Sequence, residues 1–102
     1  MRIDVVGRNF EITEAIRQHA ENKAQKLTKF YDGVQAVRVT VAKHDHHHKG
    51  PFDVELVIDV EKHDDFIVHV KLEDVYVAID EAVQKGSRQL TDFKEKLKDG
   101  KR

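Results

Sequence analysis

Cysteine and tryptophan are absent from this sequence, proline occurs once, at Pro51, and serine once, at Ser87. Without thiols there is no disulfide framework, no thiolate metal site and no cysteine nucleophile. With a single serine and no glycine-rich phosphate loop, the usual nucleophilic and nucleotide-binding motifs are missing as well. No stretch approaches the roughly 18 apolar residues of a membrane span. The opening MRIDVVGR alternates charged and apolar residues, where a signal peptide would need an apolar run. These absences predict a cytoplasmic protein that is not an enzyme, with no cofactor, no membrane partner and no small-molecule substrate.

Charge is plentiful but balanced. Charged residues make up 36% of the 102 positions, yet the formal net charge is −1. The molecule as a whole is therefore not drawn to nucleic acid. Any attraction to RNA has to come from charges sorted onto one surface. The length predicts one domain, spanning 1–102.

The longest patterned stretch is Asp74 to Lys98, DVYVAIDEAVQKGSRQLTDFKEKLK. Val75, Ile79, Ala82, Val83, Gly86, Leu90, Phe93 and Leu97 recur at three- and four-residue steps, the signature of an amphipathic helix. Asp74 is placed to cap its first turn, and Lys94, Lys96 and Lys98 suit the negative end of its dipole. A first helix is expected from an N-cap at Thr13 to Phe30 or Tyr31. Its stripe is Ile12, Ile16, Ala20, Ala24, Leu27, Phe30 and Tyr31, and Gly33 closes it in the left-handed conformation. Four runs read as strands: Arg2–Val6, Val34–Lys43, Phe52–Lys62 and Phe66–Leu72. The last three alternate apolar and polar residues, and short connections make them an antiparallel meander. The helices can bury their stripes only on the apolar face of that sheet. The expected fold is α+β, a two-layer β-α-β-β-β-α sandwich with a mainly antiparallel four-stranded sheet and two helices on one face.

Turning the first helix at about 100° per residue gathers His19, Asn22, Lys23, Lys26 and Lys29 on one flank, and Glu14, Glu21 and Gln25, with Arg17 and Thr28, on the other. One flank of the closing helix carries Lys85, Arg88, Gln89 and Lys96. Helices lying side by side would merge these into one basic surface, although ordinary solvated helix faces fit the same pattern. The open face of the sheet is expected to be acidic, with Asp53, Glu55, Asp59 and Glu61 on one strand. It also lacks outward Phe or Tyr for stacking bases.

The segments GRNFEITEAIR (Gly7 to Arg17), DVYVAID (Asp74 to Asp80) and KGSRQL (Lys85 to Leu90), in this order of elements, resemble the ribosome hibernation promoting factor family, which includes protein Y. The resemblance spans essentially the whole chain. It implies a fold similar to a double-stranded RNA-binding domain with an added first strand. It also implies binding to the small ribosomal subunit and its 16S rRNA, where mRNA and the A- and P-site tRNAs lie, and inhibition of translation in stationary phase. Carried over by position, it implies rRNA contacts at Lys23, Lys26, Lys29, Lys85, Arg88, Gln89, Lys94 and Lys96, and at Arg8. The ending KLKDGKR lacks the acidic extension of protein Y, and the C-terminal dimerisation domain of long family members is not expected here. The chain thus resembles the short form, which acts with ribosome modulation factor to pair inactive ribosomes.

The loop HDHHHKG is no part of that family pattern. His44, His46 and His48, beside His47 and Asp45, offer imidazoles to a transition metal, but the spacing of a structural zinc site is missing. The alternative reading is therefore a small metal-responsive interaction domain. His19 and His69 read as surface residues, Asp64 and Asp65 as turn residues, and Tyr76 as the edge of the core.

Overall fold

The computed structural model describes residues 1–43 and 51–99. Strands β1 (Arg2–Arg8), β2 (Val34–Lys43), β3 (Phe52–Val60) and β4 (Phe66–Leu72) form one four-stranded sheet in the order β1-β2-β3-β4. Helix α1 (Glu14–Gln25) connects β1 to β2, and α2 (Val75–Asp99) follows β4. The predicted β-α-β-β-β-α order is the observed one. β1 pairs parallel with β2, because α1 returns the chain to the same end of the sheet. The pairs β2–β3 and β3–β4 are antiparallel.

Both helices cover one face. Val37, Val39 and Val41 of β2, and Val54, Leu56, Ile58 and Val60 of β3, meet Ile16, Ala20 and Ala24 of α1 and Ile79, Ala82 and Leu90 of α2 in a single buried core. A bulge at Gln35 shifts the β2–β3 register between Val34 and Ala36, so Val34 is buried together with Val37. The caps are as the sequence suggests. The Thr13 hydroxyl accepts from the Ile16 N–H at 3.2 Å. The Asp74 carboxylate accepts from the N–H groups of Tyr76 and Val77 at 2.9 and 3.2 Å.

The first helix is shorter than its apolar pattern. The α-helix stops at Gln25, and Lys26–Lys29 form a 3₁₀ turn. That turn has about 3.0 residues per turn, so the apolar stripe rotates by roughly 20° more at each step. Leu27 is still buried, but Phe30 ends 39% exposed. Gly33 does not take the left-handed conformation expected of it. It is glycine because a Cβ there would come within 2.4 Å of the Tyr31 ring. Among the described residues the left-handed positions are Asn9 and Lys62, with φ of 53° and 60°. Asn9 turns the chain after a β1 longer than the expected Arg2–Val6. Lys62 turns it after β3, which ends at Val60 and leaves Glu61 outside the strand. At the other end, Leu97 is 40% exposed. A 25-residue α2 extends about 38 Å, further than the seven-residue β4 beneath it, at about 23 Å.

Gly86 lies on the buried face of α2. A Cβ there would stand 2.8 Å from Leu56 Cδ2 and 2.9 Å from Ile58 Cδ1. Both of those side chains are fully buried, so neither methyl has free space to enter. Alanine in a helix ordinarily gains about 1 kcal/mol over glycine. Here the overpacking of about 1–3 kcal/mol opposes it. Gly86→Ala is expected to lower stability by about 1 kcal/mol in urea melts. A more stable variant would show that α2 can lift off the sheet at little cost.

Candidate nucleic-acid interface

The topology sets the direction of the helices. β1, β2 and β4 run the same way, and each helix returns across the sheet against them, so α1 and α2 are parallel neighbours. Their contacts advance in step. His19 packs edge-on against Tyr76, with ring centroids 5.0 Å apart. Its Nε2 is 2.7 Å from Asp80 Oδ1, and Lys23 Nζ is 3.8 Å from the same oxygen. Leu27 lies beneath Gly86, and the Tyr31 and Phe93 rings meet at 5.3 Å. His19 is thus a half-buried link between the helices, whereas its sequence reads as plain surface. Tyr76 is 39% exposed.

This packing divides the predicted residues into two banks. Asp80 faces α1. Gln89 is nine positions further on, which at about 100° per residue puts it about 180° around the helix. Lys85 and Lys96 lie roughly 140° and 160° from Asp80 by the same rotation, on the flank above β4. Lys94 lies only about 40° from Asp80, on the side of α1. The seam bank is therefore Lys23, the exposed Lys26 and Lys29, and Lys94, with Asp80 among them. The outer bank is Lys85, Gln89 and Lys96, with Asp92 beside them, while Arg88 and Glu81, about 80° and 100° from Asp80, stand at its inner edge. The exposed Gln84, Thr91 and Glu95, with Arg88 beside them, form the ridge between the banks, which stand about one helix diameter, roughly 10 Å, apart. The helices do lie side by side as predicted, but the result is two rows rather than one patch. Because they are parallel, both basic C-terminal turns come to the same end of the molecule.

Arg8 is not part of either bank. It ends β1 pointing to the opposite face of the sheet, in register with Ala42, which pairs with Asp53, which pairs with Lys71. That face is not the acidic surface the β3 row predicts. Asp4 pairs in register with Arg38, and Glu55 with His69, 3.5 Å from its Nε2. Arg2 Nε is 3.2 Å from Asp4. The strand pairing has interleaved basic residues with Asp53, Glu55 and Asp59. Thr40 and Ala42, on this face, are only 8% and 9% exposed. They floor a shallow depression shared with Arg8, Asp53, Glu55 and His69. A row read along one strand cannot show what its neighbours carry.

Among the described residues, no group of three or more His, Cys, Asp or Glu is placed to hold a metal. His44, His46 and His48 lie outside the described residues, so the metal-responsive reading has no observation behind it. No described helix is long and apolar enough to cross a membrane.

Residues 3–98 match the model of the family described as sigma 54 modulation protein / S30EA ribosomal protein. The chain is 34% identical over 100 residues to the ribosome hibernation promoting factor of Escherichia coli (strain K12), covering 96% of this chain and 98% of that one. The crystal structure of the protein Y N-terminal domain of Thermus thermophilus superposes with a TM-score of 0.77 at 32% identity, covering 91% of this chain and 99% of the other. A ribosomal subunit interface protein from Coxiella burnetii shares the fold, with a TM-score of 0.82 at 18% identity over 93% of this chain and 99% of that one.

Proposed function

The chain belongs to the ribosome hibernation promoting factor and protein Y family, and from that premise we propose that it binds the small ribosomal subunit and blocks translation sterically. The helix layer docks on 16S rRNA. Lys23, Lys26, Lys29 and Lys94 take phosphates on one side of the α2 ridge, Lys85 and Lys96 on the other with Gln89 beside them, and Arg88 at the ridge itself. No covalent step is involved: the domain fills the path of mRNA and of the A- and P-site tRNAs. With ribosome modulation factor it favours paired, inactive ribosomes.

One observation carries this reading. On the helix layer the cations Lys23, Lys26, Lys29, Lys85, Arg88, Lys94 and Lys96 outnumber the carboxylates among them, Asp80, Glu81, Asp92 and Glu95, while on the sheet face Arg2, Arg8, Arg38 and Lys71 are matched by Asp4, Asp53, Glu55 and Asp59. Phosphate is attracted to the first arrangement and has little net reason to approach the second.

Sedimentation of ribosomes with added protein tests it. The protein is expected to pellet with small subunits in chelator-containing buffer and to lower the yield of cell-free translation. Failure to pellet, or pelleting only when a transition metal is supplied, would reject the reading.

A further inference from the structure

Beside the outer bank, His63, Phe66, Gln89, Asp92, Phe93 and Lys96 line an open groove of about 270 Å³. Its walls come from the β3–β4 turn and from the flank of α2. Three rings meet there. His63 stacks nearly flat on Phe66, with centroids 4.8 Å apart and planes 10° from parallel. It tilts over Phe93 at 4.6 Å, and Phe66 meets Phe93 edge-on at 5.4 Å.

The arrangement is held in place before any ligand arrives. His63 Nδ1–H donates to the Asp64 carbonyl at 2.7 Å. The turn that delivers His63 holds Lys62 at a φ of 60°, a left-handed conformation that is unfavourable for a residue with a Cβ. Such strain collects where a side chain must be aimed. His63 is nonetheless exposed, an unusual place for a ring so closely fixed.

We infer that this groove takes an unpaired RNA base. Three features select a base over other ligands. The rings offer π faces, which any base can stack on. Gln89 supplies both a donor and an acceptor, and Asp92 an acceptor, for the edge of a base. Asp92 also repels phosphate from the groove itself, while Lys96, on the same flank of α2 as Lys85, attracts the phosphate that follows. A base inside and its phosphate on the rim satisfy both charges. The inference rests on the helix layer facing RNA, and extends that surface from phosphates to a base.

The test compares a labelled oligouridylate of about ten nucleotides with an abasic ribose–phosphate strand of equal length, by fluorescence anisotropy. The parent is expected to bind the base-containing strand roughly tenfold more tightly, the scale of one stacked base. His63→Ala should erase that advantage without lowering the melting temperature, and His63→Phe should keep it. Equal, salt-sensitive binding of both strands would overturn the groove and leave the basic banks standing. No binding of either strand would remove the banks and the groove together. Competition by an arginine-rich peptide, lost on His63→Ala, would make the groove a protein site and overturn the inference.

Discussion

Lys85→Glu combined with Arg88→Glu is expected to remove ribosome binding and translational inhibition while the protein melts as the parent does. Both side chains are exposed on α2, Lys85 on its outer flank and Arg88 at its ridge. Exposed substitutions usually change stability by about 0.5 kcal/mol or less, and glutamate is a good helix former. Binding responds differently. Each reversal deletes an attraction to phosphate and puts a repulsion in its place. Arg88 also loses a planar fork of donors that can grip two phosphate oxygens at once. At about 1.4 kcal/mol for each position, affinity falls about a hundredfold. The control is Arg38→Glu with Lys71→Glu, the same change in net charge on the opposite face of the sheet. Binding assays beside circular dichroism melts separate position from total charge. A charge-reversed α2 that still inhibits at the parent's concentration, or a control equally impaired, would show that the outer bank is not the RNA surface.

The second large effect is on salt dependence. The two banks hold Lys23, Lys26, Lys29, Lys94, Lys85, Arg88 and Lys96. Lys23 is partly neutralised by Asp80, 3.8 Å away. If about six of these cations displace condensed counterions, the logarithm of affinity falls with the logarithm of salt at a slope near −5. Between 50 and 200 mM salt that amounts to about a thousandfold, treating folded rRNA as duplex. The Lys85 and Arg88 double variant should show a slope shallower by about 2, because two phosphate contacts are gone. Filter binding of small subunits across that range measures both. A flat response from the parent would mean that apolar contacts, not phosphates, hold it to the ribosome.

Much of this molecule was legible before any coordinates. The strand alternation of Val37, Val39 and Val41 against Val54, Leu56 and Ile58, and the stripe from Val75 to Leu90, require an apolar face and a partner to cover it. Those periods arise from backbone geometry alone, so they survive folding unchanged. Capping is equally local. Thr13 and Asp74 satisfy N–H groups two or three residues away, and the chain states this directly. The family resemblance was legible for a related reason: its segments carry those same caps and stripes together with the basic positions.

What the sequence could not determine is which surfaces share a side of the molecule. The expected acidic sheet face depended on β3 alone. Register then set Arg38 beside Val57, His69 opposite Glu55 and Lys71 opposite Asp53. Arg8 went to that face by the parity of β1; rotation alone separates Lys94 from Lys85 and Lys96, but only the packing of α1 makes its side of α2 the seam. The 3₁₀ turn at Lys26–Lys29 broke the helical count that had put Phe30 in the core. The groove at His63 joins a turn to a helix more than twenty residues later, and no periodic pattern links them. Periodicity and caps are properties of neighbouring residues, so the chain by itself determines its elements and their buried faces. Charge placement and the groove depend on strand register, parallel helix packing and one strained turn, which exist only once distant segments meet.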